Sequence, residues 1–227
     1  MEKNNKKAVV VLSGGMDSAT ALFQAIADGY NVYTISFNYG QRHKKELEYA
    51  KKISEKAGVV EHRIVDITTI NSLVSNSSLT NENIEVPEGH YAQDNMKITV
   101  VPNRNMIMYS IAIGYAVNIK AQAMYVGVHA GDHAIYPDCR PEFIELLDVI
   151  AKVANEGFVD KSFRIIAPFV YKSKSAIASI GSKLDVPFEL TWSCYKGGNY
   201  HCGKCGTCVE RKEAFKLSKV KDRTIYE

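Results

Sequence analysis

Ser13-Gly14-Gly15-Met16-Asp17-Ser18 is the stretch whose residue types and spacing most clearly do chemistry. An apolar, β-branched run, Ala8-Val9-Val10-Val11-Leu12, precedes it and suits a strand buried on both faces. Ala19, Leu22, Phe23 and Ile26 follow at helical spacing, with Gly29 as a stop. Glycines at a strand-to-helix turn allow positive φ and close backbone approach. The turn then aims N–H groups and the positive end of a helix at one point, where a phosphate is the natural occupant. The dinucleotide fingerprint needs G-x-G-x-x-G and the Walker loop needs Gly-Lys-Ser/Thr, and neither is present here. The S-G-G-x-D-S pyrophosphate loop is matched at every defined position, with Met16 and Ala19 in variable places. In such a loop the hydroxyls of Ser13 and Ser18 and the amides of residues 14–18 would hold β- and γ-phosphates, with Leu12, Ala19 and Thr20 expected to border them. Asp17 is a candidate to hold magnesium indirectly.

Cys194, Cys202, Cys205 and Cys208 stand in the pattern C-x7-C-x2-C-x2-C, with Gly197, Gly198, Gly203 and Gly206 between them. Four thiolates so placed can wrap one ion, and four soft ligands with no open position suit structural zinc. An iron–sulfur cluster is the competing reading. Lys204, Arg211 and Lys212 are expected to offset the charge. Cys139 lies apart from this group.

Other candidates fall at the ends of expected strands, where open parallel sheets keep their ligands. Tyr39 and Arg42 follow the second strand. Arg104 is expected in the first turn of a helix, where the dipole disfavours a cation, so an anionic partner is implied. Lys174 has the same position in a later helix. Residues 129–140 crowd His129, Asp132, His133, Tyr136, Asp138, Cys139 and Arg140 into one loop. A metal site from His129, Asp132 and His133 has neither the spacing nor the helix to support it.

The elements that must position these groups alternate strand and helix. Strands are expected over 7–12, 31–37, 59–66, 123–128 and 164–168. Helices are expected from the loop to Gly29, over 44–57, from about 104 to 115, over 141–156, and from a Ser173 cap to about 184. This β-α-β-α-β alternation argues for an α/β fold with a doubly wound, mostly parallel sheet. Residues 71–96 are rich in Ser, Asn and turn residues and read as a flexible cover over the active site. The expected division is a nucleotide-binding domain over 1–190 and a four-cysteine segment over 191–227 packed on it.

Bulk properties narrow the class. The 227 residues suit one α/β domain with a small appendage. Apolar runs are too short to span a bilayer, and the N-terminal residues lead straight into a strand without room for a signal peptide. A net charge of +3 is too small to argue for a nucleic-acid partner. Cysteines grouped for a metal suit a reducing compartment, so the expected location is cytoplasmic.

The loop resembles that of the PP-loop ATP-pyrophosphatase superfamily, whose fold is adenine nucleotide alpha hydrolase-like and Rossmann-like and whose members transfer AMP to a substrate oxygen. The resemblance narrows with Phe37-Asn38-Tyr39-Gly40-Gln41-Arg42-His43, Val101-Pro102-Asn103-Arg104-Asn105, Gly127-Val128, Tyr136-Pro137-Asp138-Cys139-Arg140 and the four-cysteine segment. In this order they are similar to the 7-cyano-7-deazaguanine synthases, over nearly the whole chain. The resemblance implies an ATP-dependent C–N ligase that converts 7-carboxy-7-deazaguanine and ammonia into the nitrile, in queuosine and deazapurine biosynthesis. It also implies ATP with magnesium, one structural zinc on Cys194, Cys202, Cys205 and Cys208, and a homodimer. Arg104 and Lys174 become the catalytic candidates, as electrostatic stabilisers, and Tyr136, Asp138 and Arg140 the substrate readers. His129-Ala130-Gly131 departs from the family's usual pattern, which leaves the substrate contacts of that loop open. Two alternatives share the loop: a tRNA-modifying adenylating enzyme, and a relative that joins a deazapurine acid to a protein. A non-enzymatic zinc module would have no use for the pyrophosphate loop.

Overall fold

A computed structural model describes residues 6–74, 76–81, 83–90, 94–132 and 134–227. In chain order the elements are β1 (Lys7–Val11), α1 (Met16–Ala27), β2 (Asn31–Asn38), α2 (Lys45–Ala57), β3 (Glu61–Asp66) and α3 (Arg104–Asn118). They continue with β4 (Ala123–Tyr125), α4 (Pro141–Ala154), β5 (Arg164–Ile166), α5 (Lys174–Lys183) and α6 (Gly206–Ser218). All strand pairs are parallel and the sheet order is β3-β2-β1-β4-β5. This is the expected doubly wound sheet. The chain runs outward from β1 to β3, then returns to place β4 on the other side of β1. The crevice at that reversal lies outside the carboxyl ends of β1 and β4, where such folds bind ligands.

Strand alternation explains why β1 reads as apolar throughout. Val9 joins Ile35 and Met124 against Met108, Ala112 and Ile113 of α3 and Ile144 and Leu147 of α4. Ala8 and Val10 face the opposite layer, with Leu22 of α1, Ala50 and Ile53 of α2, Ala178 of α5 and Phe215 of α6. Each fully buried Leu, Ile or Val contributes about 1.5–3 kcal/mol, so the two layers hold the central strand from both sides.

The helix α6 escaped the sequence reading, because the cysteines and glycines of 194–208 drew that stretch toward a metal knot. Arg211 on α6, expected to offset thiolate charge, is instead fully buried. It donates to both carboxylate oxygens of Asp222 at 3.1 Å, to the Phe188 carbonyl at 3.1 Å and to Thr191 Oγ1 at 2.7 Å. A planar guanidinium can satisfy all these acceptors at once, which a lysine could not. The C-terminal segment also touches the loop itself: the Trp192 amide donates to the Gly14 carbonyl at 2.8 Å.

The described parts of 71–96 are held down rather than loose. Leu79 is fully buried, Val86 and Met96 nearly so. Arg42, for which a ligand contact and a structural turn were equal readings, donates to the carbonyls of Asn81 and Ile84, both at 3.0 Å. The Arg42 amide bonds the Leu79 carbonyl at 2.9 Å, and Gly89 bonds the Lys204 carbonyl at 3.1 Å. Polar composition suggested mobility, but backbone groups of this irregular stretch find partners in the body of the fold.

Candidate active site

The turn between β1 and α1 is shaped by packing against backbone. Gly14 has φ +86°, and a Cβ there would stand 2.3 Å from the Glu46 carbonyl oxygen. Across the turn, a Cβ on Gly127 would stand 2.8 Å from the Ser18 amide nitrogen. Both positions therefore require glycine. Gly15 is the N-cap of α1 and no side chain caps the helix, so its first amides are left for another acceptor. Ser13 Oγ and Ser18 Oγ lie 3.0 Å apart, and Ser18 Oγ donates to the Gly15 carbonyl at 3.2 Å.

These groups open into a cavity of about 220 Å³ at the carboxyl ends of β1 and β4. Of the phosphate-loop candidates, Leu12, Ser13, Gly15, Met16, Asp17 and Ser18 line it. Gly14, Ala19 and Thr20 do not. Gly14 is turned against α2, Ala19 is buried in the core, and Thr20 Oγ1 donates to the Met16 carbonyl at 2.7 Å. Those three shape the loop from behind.

Lys174 lies at the cavity wall, at the start of α5 and half-enclosed by carboxylates. Ser173 caps that helix as expected, its Oγ accepting from the Ala176 amide at 3.3 Å. Lys174 Nζ donates to Asp17 Oδ2 at 2.8 Å and forms an ion pair with Glu210 Oε2 at 3.0 Å. His129 Nε2 is 3.2 Å from the same ammonium and 3.5 Å from Asp132 Oδ2. Burial works against the lysine charge, but Asp17, Glu210 and Asp132 outweigh it and hold Lys174 above its ordinary pKa. Asp17 Oδ1 is buried without a hydrogen-bond partner. A bare carboxylate oxygen beside a phosphate loop is the donor chemistry a magnesium ion uses, directly or through its waters. His129 and Asp132 thus belong to an ion cluster with Lys174, and His133 lies outside the described residues.

Arg104 opens α3, with Asn103 before it in a left-handed conformation at φ 59°. Its guanidinium lies 5.6 Å from the Tyr39 ring centroid and donates to Tyr39 OH at 3.4 Å. Among the described residues no carboxylate comes within ion-pair distance of it. Arg104, Tyr39 and Tyr136 all line the cavity. Tyr136 is anchored by Thr99, their hydroxyl oxygens 2.5 Å apart.

Of the three expected substrate readers, only Tyr136 reaches the cavity. The chain turns through a short helical turn at Pro137–Cys139 and carries the other two away. Asp138 Oδ2 accepts the Asn105 amide at 3.2 Å, which fixes the first turn of α3, and Arg140 is exposed at the N-cap of α4. Cys139 lines the cavity as a buried thiol, pushed well above its usual pKa by burial and by Asp132 and Asp138.

Several lining residues were not read from the sequence: His43, Glu46, Tyr109, Trp192, Ser193, Tyr195 and Thr207. Trp192, the lone tryptophan, had a usable signal in its place between the last α/β helix and the cysteines. Its ring stacks near Tyr49 at 5.3 Å and under Lys45 at 4.7 Å.

The four sulfurs of Cys194, Cys202, Cys205 and Cys208 lie within 4.8 Å of one another, all buried. Backbone amides point at them: Cys202 N to Cys194 Sγ at 3.5 Å, Lys204 N to Cys202 Sγ at 3.5 Å and Cys205 N to Cys202 Sγ at 3.3 Å. This donor set fits one metal ion. Contact among the thiols holds Cys205 far below the usual thiol range and pushes Cys194 up to about 11 and Cys208 higher still. Four buried sulfurs cannot all ionise without a cation between them. Stripping metal with a strong chelator at neutral pH should therefore lower the thermal midpoint by roughly 10 °C or more. A midpoint that does not move would contradict a metal role for this cluster.

Residues 7–219 match the family model described as Queuosine biosynthesis protein QueC. A 7-cyano-7-deazaguanine synthase from Marinomonas sp. (strain MWYL1) is 52% identical over 223 residues, covering 98% of this chain and 99% of its own. One from Hahella chejuensis (strain KCTC 2396) is 52% identical over 221 residues, covering 97% of this chain and 93% of its own. The fold is similar to that of NMN synthetase from Francisella tularensis, with TM-score 0.51 and 18% identity over 96% of this chain and 79% of that one. Matched by that family model over 213 of its 227 residues and about half identical to such relatives over nearly the whole length, the chain belongs to the queuosine biosynthesis protein QueC family.

Proposed function

We propose that this protein is an ATP-dependent C–N ligase that converts 7-carboxy-7-deazaguanine and ammonia into 7-cyano-7-deazaguanine. The observation that carries the reading is near-full-length identity of about half to synthases of that name. The cavity supports it with a glycine turn, two serine hydroxyls, an uncapped helix and two cations. A carboxylate is a poor acyl donor, because its leaving group would be oxide. Transfer of AMP to a carboxylate oxygen gives a mixed anhydride, which ammonia attacks to give the amide and AMP. A second transfer to the amide oxygen then lets AMP leave with that oxygen, and loss of two protons leaves the nitrile.

In this reading Ser13, Ser18 and the amides of the turn hold the β- and γ-phosphates. Lys174 and Arg104 offset charge that develops between the α-phosphorus and the carboxylate, as preorganised electrostatic stabilisers. Tyr39 and Tyr136 offer flat faces and hydroxyls to a planar heterocycle. Asp138 acts at one remove, by fixing the helix turn that carries Arg104, and Arg140 is assigned no direct contact. Asp17, through its bare Oδ1, would help hold a magnesium ion, which when bound would supply charge neutralisation on the phosphates. Zinc on Cys194, Cys202, Cys205 and Cys208 is structural, since four protein ligands leave no position open. The division into a nucleotide-binding part over 1–190 and a metal-binding part over 191–227 is kept as a functional one, with Trp192 and α6 joining them.

The expected homodimer has a suitable face. Leu146, Val149, Ile150 and Val153 are exposed on one stripe of α4, an apolar surface of the self-complementary kind that two-fold dimers use. No helix among the described residues is long and apolar enough to cross a membrane, and a cytoplasmic site of action suits the reduced thiols and the ATP requirement.

Incubation with ATP, magnesium, ammonium and 7-carboxy-7-deazaguanine should yield the nitrile by mass, with two AMP per product. A combined Ser13→Ala, Ser18→Ala variant should lose at least about 100-fold in turnover while keeping its metal. Absence of nitrile, with an adduct on tRNA or on a protein acceptor instead, would overturn the assignment. Leu146→Glu with Val153→Glu should halve the mass seen by light scattering, and an unchanged dimer would remove α4 from the interface.

A further inference from the structure

Three carboxylates surround Lys174, and one of them comes from outside the α/β sheet. Asp17 belongs to the phosphate loop and Asp132 to the loop after β4, but Glu210 is carried by α6, two residues after Cys208. Lys174 Nζ lies 2.8 Å from Asp17 Oδ2 and 3.0 Å from Glu210 Oε2, and the three side chains are only 16%, 19% and 14% exposed. Glu210 is poorly served in return. Its Oε2 lies off the hydrogen-bonding direction of the ammonium and has no other partner. A buried carboxylate so weakly bonded is a poor source of stability, and a hydrophobic residue would hold α6 on α5 at least as well.

The placement of Glu210 follows from the cysteine segment. Cys205 is the N-cap of α6, Cys208 lies in its first turn, and Thr207 Oγ1 donates to the Ser193 carbonyl at 2.7 Å. Asp17 and His129 Nε2 meet the ammonium from the loops after β1 and β4, and Glu210 adds a third contact, from α6, that holds it in the cavity wall beside the phosphate loop.

We propose that Glu210 is a positioning residue for the activation step: it holds Lys174 on Asp17, and so ties the order of the four-cysteine segment to the phosphate end of the cavity. The proposal rests on the reading that this cavity activates a carboxylate with ATP. On this account the metal knot has a second task besides folding. Whatever loosens the start of α6 withdraws Glu210 and lets Lys174 move.

The test is a double-mutant cycle in the full-length, metal-loaded protein, using Glu210→Gln, Lys174→Met and the pair. Glutamine keeps the volume and removes the charge. E210Q should retain wild-type metal content and lose at least about 10-fold in kcat, the scale of a misplaced catalytic group. The double variant should be no slower than K174M alone, because Glu210 acts through Lys174. A purely structural ion pair would show the same coupling in the thermal midpoint, so E210Q is expected to lose kcat with its midpoint within about 2 °C of wild type. The same cycle, read as Kd for magnesium pyrophosphate by calorimetry, needs no turnover. It decides the matter where K174M is too slow to time, or where the wild type makes no nitrile and the assigned reaction itself fails. Wild-type behaviour of E210Q, or an E210Q factor that persists in the K174M background, would overturn the proposal.

Discussion

The turn between β1 and α1 is packed so closely that backbone, not side chains, forms its contacts, and the rest of the site depends on that packing. A side chain at Gly14 would collide with the Glu46 carbonyl of α2, and one at Gly127 with the Ser18 amide. On a third side the Trp192 amide bonds the Gly14 carbonyl. Three separate stretches of chain therefore converge on one turn. Their convergence fixes where the first amides of α1 point, and uncapped helix amides bind anions only when held still. The sheet order supplies the place, since β4 returns beside β1 and leaves the turn at the mouth of a crevice.

Electrostatics builds outward from the same turn. Asp17 would be an odd residue to set beside phosphates if it acted alone, because like charges repel. Its Oδ2 is taken by Lys174, while Oδ1 is left bare and buried. At an effective dielectric near 20, unit charges about 4 Å apart interact by roughly 4 kcal/mol, enough to keep the lysine charged despite burial. The pairing converts a repulsive carboxylate into a holder for one cation and leaves its second oxygen without a hydrogen-bond partner. Arg104 is the opposite case. Among the described residues it meets no carboxylate, and its company is the ring and hydroxyl of Tyr39. One cation of the cavity is thus committed to the protein, and the other faces the ligand space.

How much of this could be read from residues alone varies with the range of the interaction. Local patterns were legible: the β1-turn-α1 unit, the alternation that makes a parallel sheet, the Ser173 cap and the cysteine spacing. Arg104 and Lys174 stood out because a cation in a first helical turn opposes the dipole, and both line the cavity. Long-range placement was not legible. Asp138 and Arg140 looked equivalent to Tyr136 on spacing, yet one helical turn at Pro137–Cys139 separates them from the cavity. Spacing left Arg42 open between a ligand contact and a structural turn, because its acceptors are backbone carbonyls some forty residues away. Helix α6 was obscured by the glycines and cysteines that open it, and with it went Glu210 and the buried Arg211–Asp222 pair.

The central claim is that the site activates a carboxylate oxygen, and then an amide oxygen, by transfer of AMP. Substrate labelled with ¹⁸O at both carboxylate oxygens tests this without reference to any single residue. Each of the two AMP molecules released per nitrile should carry one ¹⁸O on its phosphate, with none in pyrophosphate. Label recovered in inorganic phosphate, or AMP released without it, would contradict the account.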